Sequence, residues 1–267
     1  MSVPTQSIGD FLLEHVANGF HWKSPFWSFD LSPLHFQIAG ITFNITLDFL
    51  MIGLAVILCL VILIPASRRH NLMPTSRFAH AIEATVLFLR DDVVVQFMGE
   101  KLAVRWTPFA LTLFFFILAL NLIGLIPFLH SASGNISVTG TMAILIFILF
   151  NVMGMWHNGV MRYLKAIAPG GLPLPMMLMM YPMELVSMVS KSMTLAIRLF
   201  ANMAAGHFIV FSLLGLMALM HSYAWGLFSV PLAVAMYGFD IFVAFLQAYI
   251  FTLLSMLFIG SAIHQEH

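Results

Sequence analysis

The sequence predicts an all-α polytopic membrane protein: five transmembrane helices, the last two long and strongly tilted as a hairpin, plus an amphipathic helix on the cytoplasmic interface. Three observations predict it. Of 267 residues, 61% are hydrophobic and only 8% are charged, where a soluble domain carries about 25%, and the mean hydropathy is +0.99. Five apolar runs are long enough to cross a hydrocarbon core of ~30 Å. Finally, the zero net charge conceals a clustering of basic residues in two loops.

Residues 1 to 43 read as an outer-side segment and residues 44 to 267 as the membrane domain. The outer segment contains Asp10 and Glu14 but no basic stretch ahead of an apolar core, so neither a cleavable signal peptide nor a transit peptide is expected. Residues 8 to 20 carry a weak amphipathic pattern. The spans run from about 45 to 64, 107 to 127, 138 to 156, 176 to 220 and 227 to 263. Of eleven Lys and Arg, six fall between 67 and 105 (Arg68, Arg69, Arg77, Arg90, Lys101, Arg105) and two, Arg162 and Lys165, between 158 and 175. The positive-inside rule makes these loops cytoplasmic, with the N-terminus outside and the C-terminus inside.

Residues 76 to 98 are not a further span, because Arg77, Glu83, Arg90, Asp91 and Asp92 interrupt them. Their apolar residues Phe78, Ile82, Val86, Leu89, Val93 and Phe97 recur every three or four positions, the pattern of an interfacial amphipathic helix. The last two spans are too long for a perpendicular crossing: about 45 residues make a helix of ~67 Å. No Gly or Pro lies between Glu184 and Ala205, so tilt is favoured over a break there.

Within the spans lie two basic residues, Lys191 and Arg198, and three acidic ones, Asp48, Glu184 and Asp240. Each costs at least ~2.5 kcal/mol at depth, which marks it as a functional candidate. Asp48 sits near the outer end of its span, where an interfacial role suffices. Glu184, Lys191 and Arg198 are spaced by seven and share nearly one helix face, which Asn202 extends; His207 points about half a turn away. Folding the last two spans about "HSYAWG" at 221 to 226 sets His207 level with Asp240, and Gln247 between Arg198 and Asn202. A histidine and a carboxylate at one depth can relay a proton. Arg198 cannot, because its guanidinium stays charged. It is too deep to snorkel easily, so it calls for a carboxylate, and one from another chain if Asp240 and Glu184 serve elsewhere.

Other features read plainly. Cys59, the single cysteine, is a packing residue and allows no disulfide within the chain. "PMMLMMYPM" is adaptable packing, "HQEH" at 264 to 267 a weak metal motif on a terminus, and Asn135 opens an N-x-S sequon. No HExxH, GxSxG or GxxxxGK[ST] is present, so hydrolysis and nucleotide binding lack a visible site. A secondary transporter is the rival reading, but no internal repeat accompanies the polar residues.

"ELVSMVSKSMTLAIRLFANMAAGH" at 184 to 207 and "FLQAYIF" at 245 to 251 closely resemble the two signature stretches of subunit a of F-type ATP synthases. "NLIGLIP" at 121 to 127 and "NISVT" at 135 to 139 look like the family's weaker motifs, and the resemblance extends over about residues 40 to 267. It implies a non-catalytic, proton-conducting stator without a cofactor, in a bacterial inner membrane. The implied partners are a c-ring of carboxylate-bearing hairpins, peripheral-stalk subunit b, membrane lipid and, indirectly, the F1 sector, with no nucleic acid. By position, Arg198 matches the arginine that attracts the ring carboxylate and blocks a leak between two offset half-channels. Asn202 and Gln247 match its hydrogen-bonding neighbours, Glu184 matches an acidic position of the cytoplasmic half-channel, and Lys191 lies between them. At 207 and 240 many members have a carboxylate first and a histidine second; here the order is His207 and Asp240.

Overall fold

The computed structural model describes residues 21–23, 28–30, 35–38, 41–44, 46–67, 77–126, 129–166, 174–220 and 223–264. Two short antiparallel hairpins precede the membrane helices. Strand β1 (His21–Lys23) pairs with β2 (Ser28–Asp30), with Trp22 opposite Phe29, and β3 (His35–Ile38) pairs with β4 (Ile41–Asn44), with Phe36 opposite Phe43. The sequence reading did not anticipate these strands, and its weak helix at 8 to 20 lies outside the described residues. Apart from short connections, everything described after them is helical, and five helices are long and apolar enough to cross a membrane. The chain is therefore an all-α polytopic membrane protein.

The first membrane helix, α1, spans Leu47–Ser67. Only 22% of its apolar window is buried within the chain, so most of its Leu, Ile and Val side chains face lipid or partners. Helix α2 (Arg77–Phe88) continues through one wide π-helical turn, Leu89–Val94, into α3 (Val95–Leu125). That turn separates its residues cleanly: Leu89, Val93 and Val94 are buried while Arg90, Asp91 and Asp92 are exposed. Arg90 and Asp91 approach to 3.8 Å, both about half exposed, a pair that contributes little. The path is broken at Gly99, where φ is 71° and ψ is 162°. A side chain resists this left-handed conformation and glycine does not. The amphipathic segment expected over 76 to 98 thus ends at Gly99, and the second spanning helix starts several residues earlier than the apolar run from 107 suggests, carrying exposed Glu100, Lys101 and Arg105 in its first turns.

A short turn at Ala132–Gly134 leads into α4 (Ile136–Asn158), followed by the short α5 (Val160–Ala166). Gly159, with φ of 80°, makes the corner between them. The long hairpin consists of α6 (Leu174–Met220, 47 residues) and α7 (Tyr223–Ile263, 41 residues), both continuous despite Pro182 and Pro231. Helix α7 begins inside the stretch expected to be the turn, so the connection is tighter than "HSYAWG" suggests.

Two compact units emerge. The first comprises Met1–Leu60, Phe116–Thr139 and Arg198–Gln247. Its apolar centre joins Leu122 and Leu125 of α3, Met203 of α6 and Ala244 of α7. The second comprises Val61–Phe115, Gly140–Ile197 and Ala248–His267. There Phe150 packs on Phe258 with ring centroids 6.3 Å apart, and Phe88 packs on Tyr249 at 5.5 Å. Asn158 Nδ2 donates to the carbonyls of Ala262 and Ile263 at 2.9 and 3.4 Å, satisfying two of the open carbonyls that end α7. Tyr163 donates to Asn151 Oδ1 at 3.0 Å, and burial pushes its phenol above the usual range.

Candidate functional site

The site is built from three helices of the first unit. A small cavity of about 10 Å³, room for about one water, is lined by Asn121 and Leu125 of α3, Asn202, Met203 and Gly206 of α6, and Asp240, Val243, Ala244 and Gln247 of α7. Asn202 Nδ2 donates to Gln247 Oε1 at 2.9 Å. Equal counting from the hairpin turn predicts a meeting within two residues of this one. Their hydrogen bond leaves the Gln247 amide nitrogen buried with no bonding partner among the described residues.

Asp240 and His207 are brought to the same level as well. The Asp240 carboxylate rests on the α6 backbone at Gly206, the residue before His207. A methyl group at 206 would lie 2.8 Å from Oδ2 and 2.9 Å from Cγ and Oδ1. Glycine is therefore what allows a carboxylate of α7 to reach the surface of α6. His207, the next residue on α6, is half-buried.

Asn121 was not among the residues singled out from sequence. Its Nδ2 reaches the Ala244 carbonyl at 3.5 Å, and its Oδ1 is buried without a partner among the described residues. An asparagine inside an otherwise apolar span is the signal that could have found it, since intramembrane polar side chains are costly unless used. The cavity thus holds an open acceptor on Asn121, an open donor on Gln247 and a carboxylate on Asp240, a set that suits one bridging water.

Arg198 is half-buried on α6, one turn before Asn202, and has no ion-pair or hydrogen-bond partner among the described residues. Glu184 and Lys191 belong to the second unit. Lys191 Nζ lies 3.7 Å from Glu184 Oε1, and both side chains are over 40% exposed, so the pair is solvent- or partner-facing and weak.

Asp48, in the first turn of α1 as the interfacial reading has it, is in addition buried within the chain. Only 3% exposed, it is faced from two sides: Asn135 Nδ2 donates to Oδ2 at 2.7 Å, and His130 Nε2 approaches Oδ1 at 2.9 Å without hydrogen-bond geometry. Asn135 also accepts from Ser137 N at 2.9 Å and so caps α4. With its amide nitrogen buried and bonded, Asn135 cannot serve as a sugar acceptor in the folded chain. The meeting of Asp48 with His130 and Asn135 was not foreseen, because both partners lie more than eighty residues further along the chain.

These features define a class: a polytopic membrane protein with a long terminal hairpin that carries, among apolar residues, an arginine unpaired among the described residues and a carboxylate–histidine level. The family model described as "ATP synthase A chain" matches residues 49–260. An ATP synthase subunit a of Anaeromyxobacter dehalogenans (strain 2CP-C) is 38% identical, over 97% of this chain and 71% of the relative. One of Chloroherpeton thalassium is also 38% identical, over 96% of this chain and 77% of the relative, and a "subunit a 2" of Prosthecochloris aestuarii is 37% identical, over 98% and 82%. The chain belongs to the ATP synthase subunit a family.

Proposed function

We propose that the chain is the proton-conducting stator subunit of a rotary ATP synthase, and that Arg198 gates two offset half-channels facing a ring of carboxylate-bearing subunits. The observation that carries this reading is the half-buried Arg198 without a counter-charge among the described residues. A guanidinium at such depth requires an anion, and one arriving on a moving partner meets that requirement transiently.

A proton enters from the outer side past Asp240 and His207 and neutralises a ring carboxylate next to Arg198. The open acceptor of Asn121 and open donor of Gln247 favour a water that carries the proton through the cavity. Neutralised, the ring site moves into lipid; after nearly a full turn it discharges toward Glu184 and the cytoplasm. Arg198 repels protons and separates the two paths, because it cannot give up its own. Each charge crossing the membrane releases about 2.3 kcal/mol per 100 mV, so several crossings drive one synthesis event in the F1 sector, and this subunit makes no ATP. The reading carries with it a bacterial inner membrane, an outer N-terminus, and contacts with the c-ring and subunit b.

The test compares wild type with Arg198→Ala in vesicles containing the assembled complex, measuring ATP-driven pumping and passive proton flux. Loss of pumping with assembly intact and passive leak retained or raised is the expected result. Normal coupled pumping by the variant would end this reading.

A further inference from the structure

The cluster of Asp48, His130 and Asn135 lies outside the cavity and has no part in the proton path described above. Its three side chains come from the start of α1, from the connection after α3, and from the cap of α4. Both titratable members are nearly inaccessible, with side chains 4% and 8% exposed, so the cluster is a closed fastening and not an open antenna. A buried carboxylate hydrogen-bonded by Asn135 and approached by a buried imidazole at 2.9 Å is position-determining, since removing any one of the three strands buried polar atoms among apolar ones.

What the cluster fastens is the stretch from His130 to Asn135. Within it, Ser131 Oγ accepts from Gly134 N at 3.2 Å and closes the short turn. Ser131 also reaches the α3 backbone at Gly124: a methyl group there would meet Ser131 Oγ at 2.6 Å and Met203 Cε at 2.7 Å. Ser131, Gly124 and Met203 therefore share one spot, and Met203 is a wall of the cavity that holds Asn202, Asp240 and Gln247. A contact path runs from Asp48 through the turn to that wall. All of it lies within the first unit.

We propose that Asp48, with His130 and Asn135, is a positioning residue for proton entry: it holds the Ser131 turn against Gly124 and Met203, and so sets the width of the cavity around Asp240. This rests on the function proposed above. If the turn loosens, Met203 loses its backing and the cavity changes its occupancy by water. Asp240 is the titratable group in that cavity: it faces the neutral amides of Asn121, Asn202 and Gln247, its charge is felt by Tyr237 one turn earlier on α7, and His207 follows the glycine on which its carboxylate rests. A change in its hydration then alters the pH at which protons enter.

The experiment uses the assembled complex in vesicles, with proton flux driven from the outer side and measured over a pH series. Asp48→Asn and His130→Gln are compared with the exchange Asp48→His/His130→Asp. Displacement on the order of 1 Å at a proton-transfer site costs up to about 100-fold, so about tenfold slower flux with a shifted pH profile is expected for the single variants, and partial recovery of both in the exchange. Wild-type rate and profile in the single variants overturn the proposal. Slow flux with an unshifted profile and no recovery in the exchange also overturns it, because a purely structural cluster behaves so. If the single variants fail to assemble, Ser131→Ala probes the same path without opening the buried pair, and an unshifted profile there is equally fatal. Arg198→Ala in the same vesicles separates the two levels: normal pumping by that variant ends the stator reading, whereas its expected failure beside an unaltered Asp48→Asn ends only this one.

Discussion

The contact between Asp240 and Gly206 is the tightest constraint at the site. An alanine at 206 would place its methyl carbon within 3 Å of all three terminal atoms of the carboxylate, and a carboxylate cannot compress, so it must turn away. Gly206→Ala is expected to lower outer-side proton flux by about tenfold or more while the complex still assembles; flux at the wild-type rate would show that Asp240 need not rest there. The Asn202–Gln247 bond invites a double-mutant cycle. Asn202→Ala and Gln247→Ala should couple by about 0.5–1.5 kcal/mol in the thermal stability of the purified complex, and strict additivity would contradict the 2.9 Å geometry. These two meetings were legible in the sequence because a hairpin turn fixes depth on both of its helices, so counting outward pairs the levels. Asp48 was not legible in this way. Nothing local tells that a carboxylate in the first turn of α1 will be met by an imidazole and an amide from beyond the second span.

At the scale of elements, two devices determine where helices stop. Gly99 carries a φ of 71°, and Gly99→Ala there is expected to destabilise the subunit by about 1 kcal/mol or more, read as a lower melting temperature of the complex. An unchanged melting temperature would mean that the break relaxes when a side chain is present. Asn158 closes the far end of α7, and Asn158→Ala should cost about 0.5–1.5 kcal/mol by leaving the Ala262 and Ile263 carbonyls without that donor. The amphipathic period of 76 to 98 made the first of these helices readable. Its end point was not readable, since Gly99 sits among charged and apolar residues without a turn signature and only its positive φ reveals the break. The N-terminal hairpins β1–β2 and β3–β4 were missed for a similar reason: strands of three or four residues are shorter than any period that could announce them.

On the scale of the whole molecule, the distribution of exposure reports what the chain needs around it. Phe49, Ile57 and Val61 of α1 are 58% or more exposed, and Trp156 of α4 is 84% exposed, a pattern that is stable only in lipid or against other membrane subunits. The same applies to Met176, Met179 and Met183 on α6, all exposed. The purified subunit alone is therefore expected to aggregate on detergent removal, whereas the assembled complex stays dispersed; light scattering during detergent exchange distinguishes them, and a dispersed lone subunit would show that these faces cover one another. Five spans could be read from hydropathy because lipid demands apolar surface all round a helix. Their mutual packing could not, as lipid-facing and protein-facing residues are chemically alike.

The glycine under Asp240 also bears on history. The family resemblance implies two working orders for the pair at 207 and 240, and neither is one substitution away from the other. Replacing His207 first by an acid would set two carboxylates side by side with no imidazole between them. Replacing Asp240 first by histidine would press a ring into a gap that Gly206 opens for a carboxylate. Under the proposed function each single step would pass through a compromised relay, so a change from one order to the other is expected to need both positions, and the clearance at 206, altered together.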